Sequence, residues 1–493
     1  MRHAFFIFTC VILVFYSSCK KEAIAEKTIF TISADTLNII AAGSSNTITV
    51  NMNGSNWRVT SNQTWCTVSH SSSSKTIDQL IVTSTSNSNT NARIAKLTFV
   101  MDQKDTVFVF VSQDAKKGIY PDYSNRIAPD ATGMTNDAKT IAAKMFVGWN
   151  LGNSLEVPAG ETAWGNAKTT QTLIDSIKAA GINAIRIPCA WDSYIENTTT
   201  CKLKASWLAR VKEVVDYCYK NDMYVIINIH WDGGWLETNP TYAMQDAVNA
   251  KQKAFWEQIA VNFRGYDEHL LFAGTNEVHG STTATIENFK VQMSYNQTFV
   301  DAVRSTGGKN AYRNLIIQSF STNIDLAVSN LIVSNDSVAN RLMVEVHYYD
   351  PWDFCGLEAD ASWATVKYLW GAGFAQYGTI SSWGQEDYVR SQFQKMKTNF
   401  VDKGYPAILG EFGASRRSSL TGNILEHHLA SRAYYFQYIA QQAKNYGIVP
   451  FIWDNGSTGN NGNAIFNRSN GSVFDRQALK AYILGASTGN YPF

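Results

Sequence analysis

From Met145 to the C-terminus, short apolar runs alternate with amphipathic ones, and this alternation narrows the fold more than any other feature of the chain. Eight runs read as strands: MFVGWNLG, INAIRIP, YVIINIH, LLFAGTNE, NLIIQS, LMVEVHYY, AILGEF and VPFIWD. Segments between them, such as TQTLIDSIKAAG, SWLARVKEVVDYCYKND and QKAFWEQIAVNFRGYD, repeat apolar residues at three and four, the spacing of a helix with one buried face. Eight strand-helix units in about 340 residues are the content of a closed (β/α)8 barrel with some long loops. An open doubly wound sheet uses the same units, but no Gly-rich phosphate turn follows the first run. The expected fold is therefore α/β, a (β/α)8 barrel spanning 138–493.

In such a barrel chemistry gathers at the C-terminal ends of the strands, where eight loops converge. Those ends carry Asn150 and Asn153 after the first run, Arg186 within the second, and His230 followed by WDGGW after the third. Asn276 and Glu277 end the fourth, His347 and Tyr349 the sixth, Glu411 the seventh and Trp453 the eighth. Strand interiors are otherwise Val, Ile, Leu, Phe and Ala, so polar ends this frequent are not a by-product of packing. Glu277 and Glu411, on strands four and seven, would face each other across the mouth. Glycoside hydrolysis needs that arrangement: one carboxyl group protonates the leaving oxygen while another acts on the opposite face of the sugar. Position alone does not assign the two roles.

Taken together, AIRIPCAW, IINIHWDGGW, GTNEVHG, VEVHYYDPWDF, ILGEFGAS and FIWDNG resemble glycoside hydrolase family 5, a (β/α)8 family of retaining enzymes. Within it they look most like the endo-β-1,4-glucanase and xyloglucanase subfamily. The resemblance implies that Glu277 is the general acid/base and Glu411 the nucleophile. It implies that Arg186 and Tyr349 hold the Glu411 carboxylate, that Asn276 binds a sugar 2-hydroxyl, that His230 and His347 line the same subsite, and that Trp453 is an aromatic floor. Glu277 then needs a raised pKa and Glu411 must stay ionised. Val278 stands where the family frequently has Pro. The implied substrate is a plant cell-wall β-1,4-glucan, xylose-decorated, cellulose-like or mixed-linkage, with no cofactor. No HxH or HExxH spacing is present, so no catalytic metal is expected. Trp235 and Trp352, in presumed loops, read as sugar platforms, whereas Trp164 and Trp383 could be platforms or loop anchors. His427 and His428 read as solvated helix surface. Two rivals remain: a mannanase or xylanase on the same barrel, and a polysaccharide-binding surface protein without catalysis. A binder has no need of both Glu277 and Glu411.

Residues 28–115 differ in texture, being rich in Ser, Thr and Asn with short alternating stretches such as NTITVNM, DQLIVTS and TVFVFVSQD. This pattern predicts a small all-β, immunoglobulin-like sandwich. NWRVTSNQTWCTVS, NTNARIAKLTF and FVSQDA resemble the BACON family, whose name implies carbohydrate binding. Trp57 and Trp65 sit in strand-like patterns that favour core burial, so a spacer is the preferred role. Residues 116–137, with Pro and Gly and no sustained apolar period, read as a linker.

The first residues, MRHAFFIFTCVILVFYSSCKK, join a basic start to an apolar stretch too short to span a bilayer comfortably. Small residues before Cys19 resemble a bacterial lipoprotein cleavage box, which implies a signal over residues 1–18, a lipid anchor on Cys19 and an outer-membrane or cell-surface location. Lys plus Arg number 42 against 41 Asp plus Glu, without a basic run, so nucleic acid is not an expected partner. The other expected partner is the polysaccharide itself, and a monomer is expected. Cys66, Cys189, Cys201, Cys218 and Cys355 fit neither metal spacing nor a disulfide framework and read as small buried residues.

Overall fold

A computed structural model describes residues 27–89, 91–116, 118–280 and 283–493. Cys19 and the expected signal lie outside these. The chain divides between Gly118 and Ile119 into two compact units.

In the larger unit eight parallel strands close into a barrel: β1 (Gly148–Asn150), β2 (Ala184–Ile187), β3 (Tyr224–Asn228), β4 (Leu270–Ala273), β5 (Leu315–Gln318), β6 (Leu342–Tyr348), β7 (Ala407–Phe412) and β8 (Ile448–Ile452). Each is followed by one main helix: α1 (Gln171–Ala179), α2 (Ala205–Tyr219), α3 (Tyr242–Asn262), α4 (Ile286–Ser305), α5 (Ile324–Asn330), α6 (Glu386–Asn399), α7 (Gly422–Asn445) and α8 (Arg476–Thr488). The strands are buried on both faces because successive side chains alternate between two cores. Val225 and Ile227 join the layer between sheet and helices, whereas Tyr224 and Ile226 join Leu271, Ile316, Met343, Ile408 and Val449 in a separate cluster inside the barrel. A helix over Ala138–Lys144, its first turn capped by the Asp137 carboxylate, packs Ile141 and Ala142 against that inner cluster.

Two residues further along the same strands, the inward positions turn polar: Arg186, Asn228, Gln318 and Glu345, all fully buried. The barrel thus has an apolar floor and a polar upper layer. Between β6 and β7 the register slips after Val346, where Gly410 is bulged out and His347 comes opposite Glu411.

Residues 119–137, read above as linker, belong to the barrel unit from Ile119 onward. Ile127–Pro129 pairs with Gly307–Gly308, the Tyr123 amide donates to Glu257 (3.0 Å) and the Asn136 amide to Glu268 (2.9 Å). These are backbone and polar contacts, which leave no apolar period to read. His428 also departs from expectation. It is fully buried on α7, its Nε2 accepting from the Arg417 amide (3.0 Å) and its Nδ1 bonded to the Tyr368 carbonyl (2.8 Å).

The smaller unit is all β. A four-stranded sheet (Phe30–Ile32, Ser45–Met52, Ile77–Ser84, Cys66–Val68) and a five-stranded sheet (Thr36–Ile39, Asp105–Gln113, Arg93–Met101, Trp57–Ser61, Ser72–Ser73) enclose Val50, Trp57, Leu80, Leu97, Phe99 and Val109. Trp57 is fully buried, and Trp65 packs at the core's edge beneath the Arg93 guanidinium, 4.3 Å from its ring centre. The five cysteines are free and buried, as their spacing suggested.

Candidate active site

Arg186 organises the polar layer. Fully buried at the end of β2, its guanidinium donates to Asn150 Oδ1 (3.0 Å), Glu411 Oε1 (2.9 Å) and Asn276 Oδ1 (2.7 Å), and its Nε lies 3.0 Å from Glu345 Oε1. Groups from β1, β2, β4, β6 and β7 thus converge on one rigid fork, a geometry that lysine could not supply. Tyr349 Oη donates to the second Glu411 oxygen (3.0 Å), so both lone-pair faces of that carboxylate are oriented. Asn276 Oδ1 is taken by Arg186, which fixes the amide and leaves its NH2 to donate; Glu237 is one recipient. Glu237 also accepts the Glu277 amide N–H (3.0 Å).

His347 links the two catalytic candidates. Its Nδ1 is 2.6 Å from Glu277 Oε1 and 3.8 Å from Glu411 Oε2, and its Nε2 is 3.2 Å from Glu345. With carboxylates on both ring nitrogens, the imidazolium is favoured. Burial pushes its pKa down, but the charges of Glu411, Glu277 and Glu345 outweigh this and raise it to about 10. For Glu277, burial pushes upward and the His347 hydrogen bond more than reverses it, holding the carboxyl below its ordinary value. For Glu411, burial wins over His347 and Arg186 and raises it. These directions are opposite to those the two catalytic roles require of the working site. They describe an open mouth in which the Glu277 side chain is 43% exposed and that of Glu411 only 8%. Filling the mouth takes water from Glu277 and leaves Glu411 almost as it was.

His230 stays neutral, since burial and the Arg186 charge hold it well below its ordinary pKa. Asn228 Oδ1 accepts from the Cys189 amide (3.1 Å), so its NH2 faces His230 Nδ1 (3.1 Å) and leaves Nε2 to carry the proton. The His230 ring lies parallel to Trp453, with centroids 6.1 Å apart. Among the described residues, Glu277, His347 and Glu411 form the one cluster able to grip a cation, their ligand atoms all within 4.8 Å. The Arg186 charge bonded to Glu411 opposes such an ion.

Residues 150–459 match the family model described as cellulase, glycosyl hydrolase family 5. The chain belongs to that family. Residues 30–116 match the model of a viral BACON domain. A xyloglucan-specific endo-β-1,4-glucanase of Bacteroides ovatus is 36% identical over 90% of this chain and 89% of its own. Endoglucanase A of Paenibacillus barcinonensis is 39% identical over 73% of this chain and 92% of its own. Among solved structures, a Bacteroides ovatus family 5 xyloglucanase in complex with a XXXG heptasaccharide superposes with a TM-score of 0.70 at 34% identity, over 94% of this chain and 100% of its own. A broad-specificity endoglucanase of Bacteroides salanitronis gives 0.66 at 36% identity, over 72% and 97%.

The family 5 mouth brings together Arg186, Asn276, Glu277, His347, Tyr349 and Glu411 by direct contact, with His230 and Trp453 on a neighbouring wall. Trp352 is 44% exposed and edge-on to Tyr349, in keeping with a platform. Trp235 is not placed as one. Its ring packs edge-on against Phe255 and beneath Lys251, and its Nε1 is buried without a protein partner, so it anchors the loop. The exposed indole of WDGGW is Trp231, at 43%. Glu345 also escaped the sequence reading, although a glutamate two residues before His347 in a strand run was a usable signal. Gln318 Nε2 donates to it (2.6 Å) from β5.

Proposed function

We propose that this chain is an endo-β-1,4-glucanase acting on plant cell-wall glucan, xylose-decorated backbone included, by retaining double displacement. The observation that carries the reading is the short approach of Glu277 and Glu411, whose nearest atoms lie within 4.8 Å. Retaining enzymes keep their carboxyl groups about 5–5.5 Å apart, and inverting ones leave about 6.5–9.5 Å for a water. The names of the relatives support the substrate class.

As a sugar enters, Glu277 loses water, its carboxylate form is disfavoured, and the proton of the 2.6 Å bond moves from His347 Nδ1 to Glu277. Glu411, aligned by Arg186 and Tyr349, attacks the anomeric carbon while Glu277 protonates the leaving oxygen, giving a glycosyl ester and a free reducing-side fragment. Esterification removes the Glu411 charge, which lowers the pKa of Glu277 and suits it to the second step. As base it takes a proton from water, which attacks the ester carbon and releases Glu411. Asn276, whose Oδ1 is held by Arg186 and whose NH2 is left to donate, strengthens its bond to the 2-hydroxyl as positive charge develops.

Glu411→Gln is expected to lower kcat on xyloglucan and carboxymethylcellulose by roughly 10⁴-fold or more. NMR of the first product formed by the wild-type chain should show the β-anomer. An α-product would sink the retaining mechanism, and full turnover by Glu411→Gln would sink the role assignment. We also propose export and anchoring through a lipid on Cys19. Cys19→Ala should move activity from the membrane pellet to the soluble fraction, and an unchanged distribution would overturn the anchor.

A further inference from the structure

β4 ends at Ala273, so the backbone that carries Asn276 and Glu277 runs beyond the last strand pairing and needs other partners. Gly274 still donates to the Ile316 carbonyl (3.0 Å) and Thr275 to Gln318 Oε1 (2.9 Å). From Glu277 onward the partners change. The Glu277 amide donates to Glu237 Oε1 (3.0 Å), the His279 amide donates to the Glu237 backbone carbonyl (2.8 Å), and the Val278 carbonyl accepts from the Ser321 amide (2.7 Å). Glu237 belongs to the loop after β3 and Ser321 to the loop after β5, so the segment that bears the acid/base is tied to both. Apolar packing explains why the three loops meet. Leu236, Val278 and Phe320, one from each, share a cluster with Val248 of α3 and with Val291 and Tyr295 of α4.

A carboxylate is a costly way to tie a loop. Glu237 is 3% exposed, and no basic side chain of a described residue is ion-paired with it. Burial pushes its pKa up to about 7, against the hydrogen bonds from Glu277 and Asn276. What a carboxylate offers in return is acceptance on both oxygens, so it receives two N–H donors at once, whereas a glutamine would turn an NH2 toward one of them. Its second donor is the Asn276 side chain, which is therefore bound at both ends of its amide. Oδ1 accepts from Arg186 (2.7 Å) and the NH2 donates to Glu237. Turning that amide over would set NH2 against the guanidinium and Oδ1 against the carboxylate, donor on donor and acceptor on acceptor. One orientation survives, and in it one N–H of Asn276 is still to be placed.

We propose that Glu237 is a positioning residue: with Arg186 it locks the Asn276 amide so that the remaining N–H is held for the sugar 2-hydroxyl, and it fixes the Glu277 backbone beside it. This rests on the glucanase reading of the mouth. Glu237 acts through Asn276, whose bond to the 2-hydroxyl strengthens as the oxocarbenium ion develops. With Glu237 removed, the amide keeps the Arg186 bond but is free to swing, and has to be aligned anew in every turnover.

The test uses two nitrophenyl β-glycosides of one β-1,4-glucan oligosaccharide, the second lacking the 2-hydroxyl on the ring that bears the aryl group. The readout is the ratio of kcat/KM, 2-hydroxy over 2-deoxy, which a general loosening of the loop would not move because it slows both substrates alike. Glu237→Leu should lower this ratio about 10-fold, and Glu237→Gln, which keeps one carbonyl acceptor, about 3-fold. In an Asn276→Ala background, where the ratio is already reduced, adding Glu237→Leu should change it no further. A wild-type ratio in Glu237→Leu, including the case where both rates fall together, would overturn the positioning role, as would a further drop in the Asn276→Ala background. Should Glu237→Leu fail to fold, judged by its melting curve, Glu237→Gln decides alone, and a wild-type ratio there overturns the proposal. If the wild-type chain cut neither these glycosides nor xyloglucan nor carboxymethylcellulose, the glucanase reading itself would fail, a result separate from an unchanged ratio.

Discussion

At the scale of single residues, the site works by fixing one carboxylate twice. Glu411 receives Arg186 on one oxygen and Tyr349 on the other. Tyr349→Phe removes one hydrogen bond to a charged acceptor, about 1.5–3 kcal/mol, and leaves the guanidinium in place. A loss of roughly 10- to 100-fold in kcat is expected, with KM little altered, and steady-state kinetics on carboxymethylcellulose checks it. His428 gives a pH prediction. Burial first, then the charges of Arg432, Arg417 and Arg416, lower it to about 4. A histidine depressed in the folded state lends stability that is complete above its unfolded pKa near 6.5 and is lost as pH falls from there toward 4. Between pH 7 and pH 5 this amounts to about 2 kcal/mol. His428→Gln, which cannot titrate, should lower Tm at pH 7 yet lose a few degrees less than wild type on moving to pH 5. Equal losses in the two proteins would refute the linkage. His428 was misread in the sequence because one histidine in a helical pattern does not reveal which face it occupies. Arg186, Glu277 and Glu411 were legible because charge at the tip of an apolar run has no structural excuse.

At the scale of elements, the bulge between β6 and β7 brings His347 opposite Glu411. Gly410 is required there by close approach: a Cβ would lie 1.9 Å from Glu345 Oε1 and 2.6 Å from its Cδ. The space a side chain would fill holds the carboxylate that joins Arg186 to His347. Gly410→Ala should therefore displace Glu345, costing about 1–3 kcal/mol of stability by overpacking. It should also lower kcat at least 10-fold, since His347 loses the partner that fixes its ring. Thermal melts and kinetics check both, and a variant as stable and active as wild type would show that the bulge can yield. All eight barrel strands were legible from apolar runs, and the helices from their three-and-four spacing. What could not be read were elements held by backbone and polar contacts. Ile127–Pro129 has no apolar rhythm and pairs with two glycines, so its sequence looks like linker. Trp235 and Trp231 share one short motif, and only the turn through Gly233 and Gly234, both at positive φ, decides which indole faces outward.

At the scale of the whole molecule, function and fold separate along the chain. Every residue placed in the mouth lies after Ile119, on a barrel whose inner and outer cores are built from its own strands and helices. The sandwich has its own cluster around Trp57, Leu97 and Phe99, and among the described residues the five cysteines are all free, so none of them ties one unit to the other. A barrel of this size buries enough surface to fold without help. We therefore expect a chain starting at Ile119 to fold and to cut soluble xyloglucan oligosaccharides with kcat/KM within about twofold of the full protein. Calorimetry of the full chain should resolve two transitions, one of them shared with the truncated form, because two units with separate cores need not unfold together. The same truncation bears on the sandwich's role. If that domain is a spacer, its removal leaves both soluble and insoluble substrates unaffected in vitro; if it binds carbohydrate, the loss falls on insoluble glucan alone. A truncated chain that folds, judged by its own cooperative melt, yet turns over soluble oligosaccharides tenfold more slowly would contradict the separation, since it would mean that the sandwich contributes to the mouth.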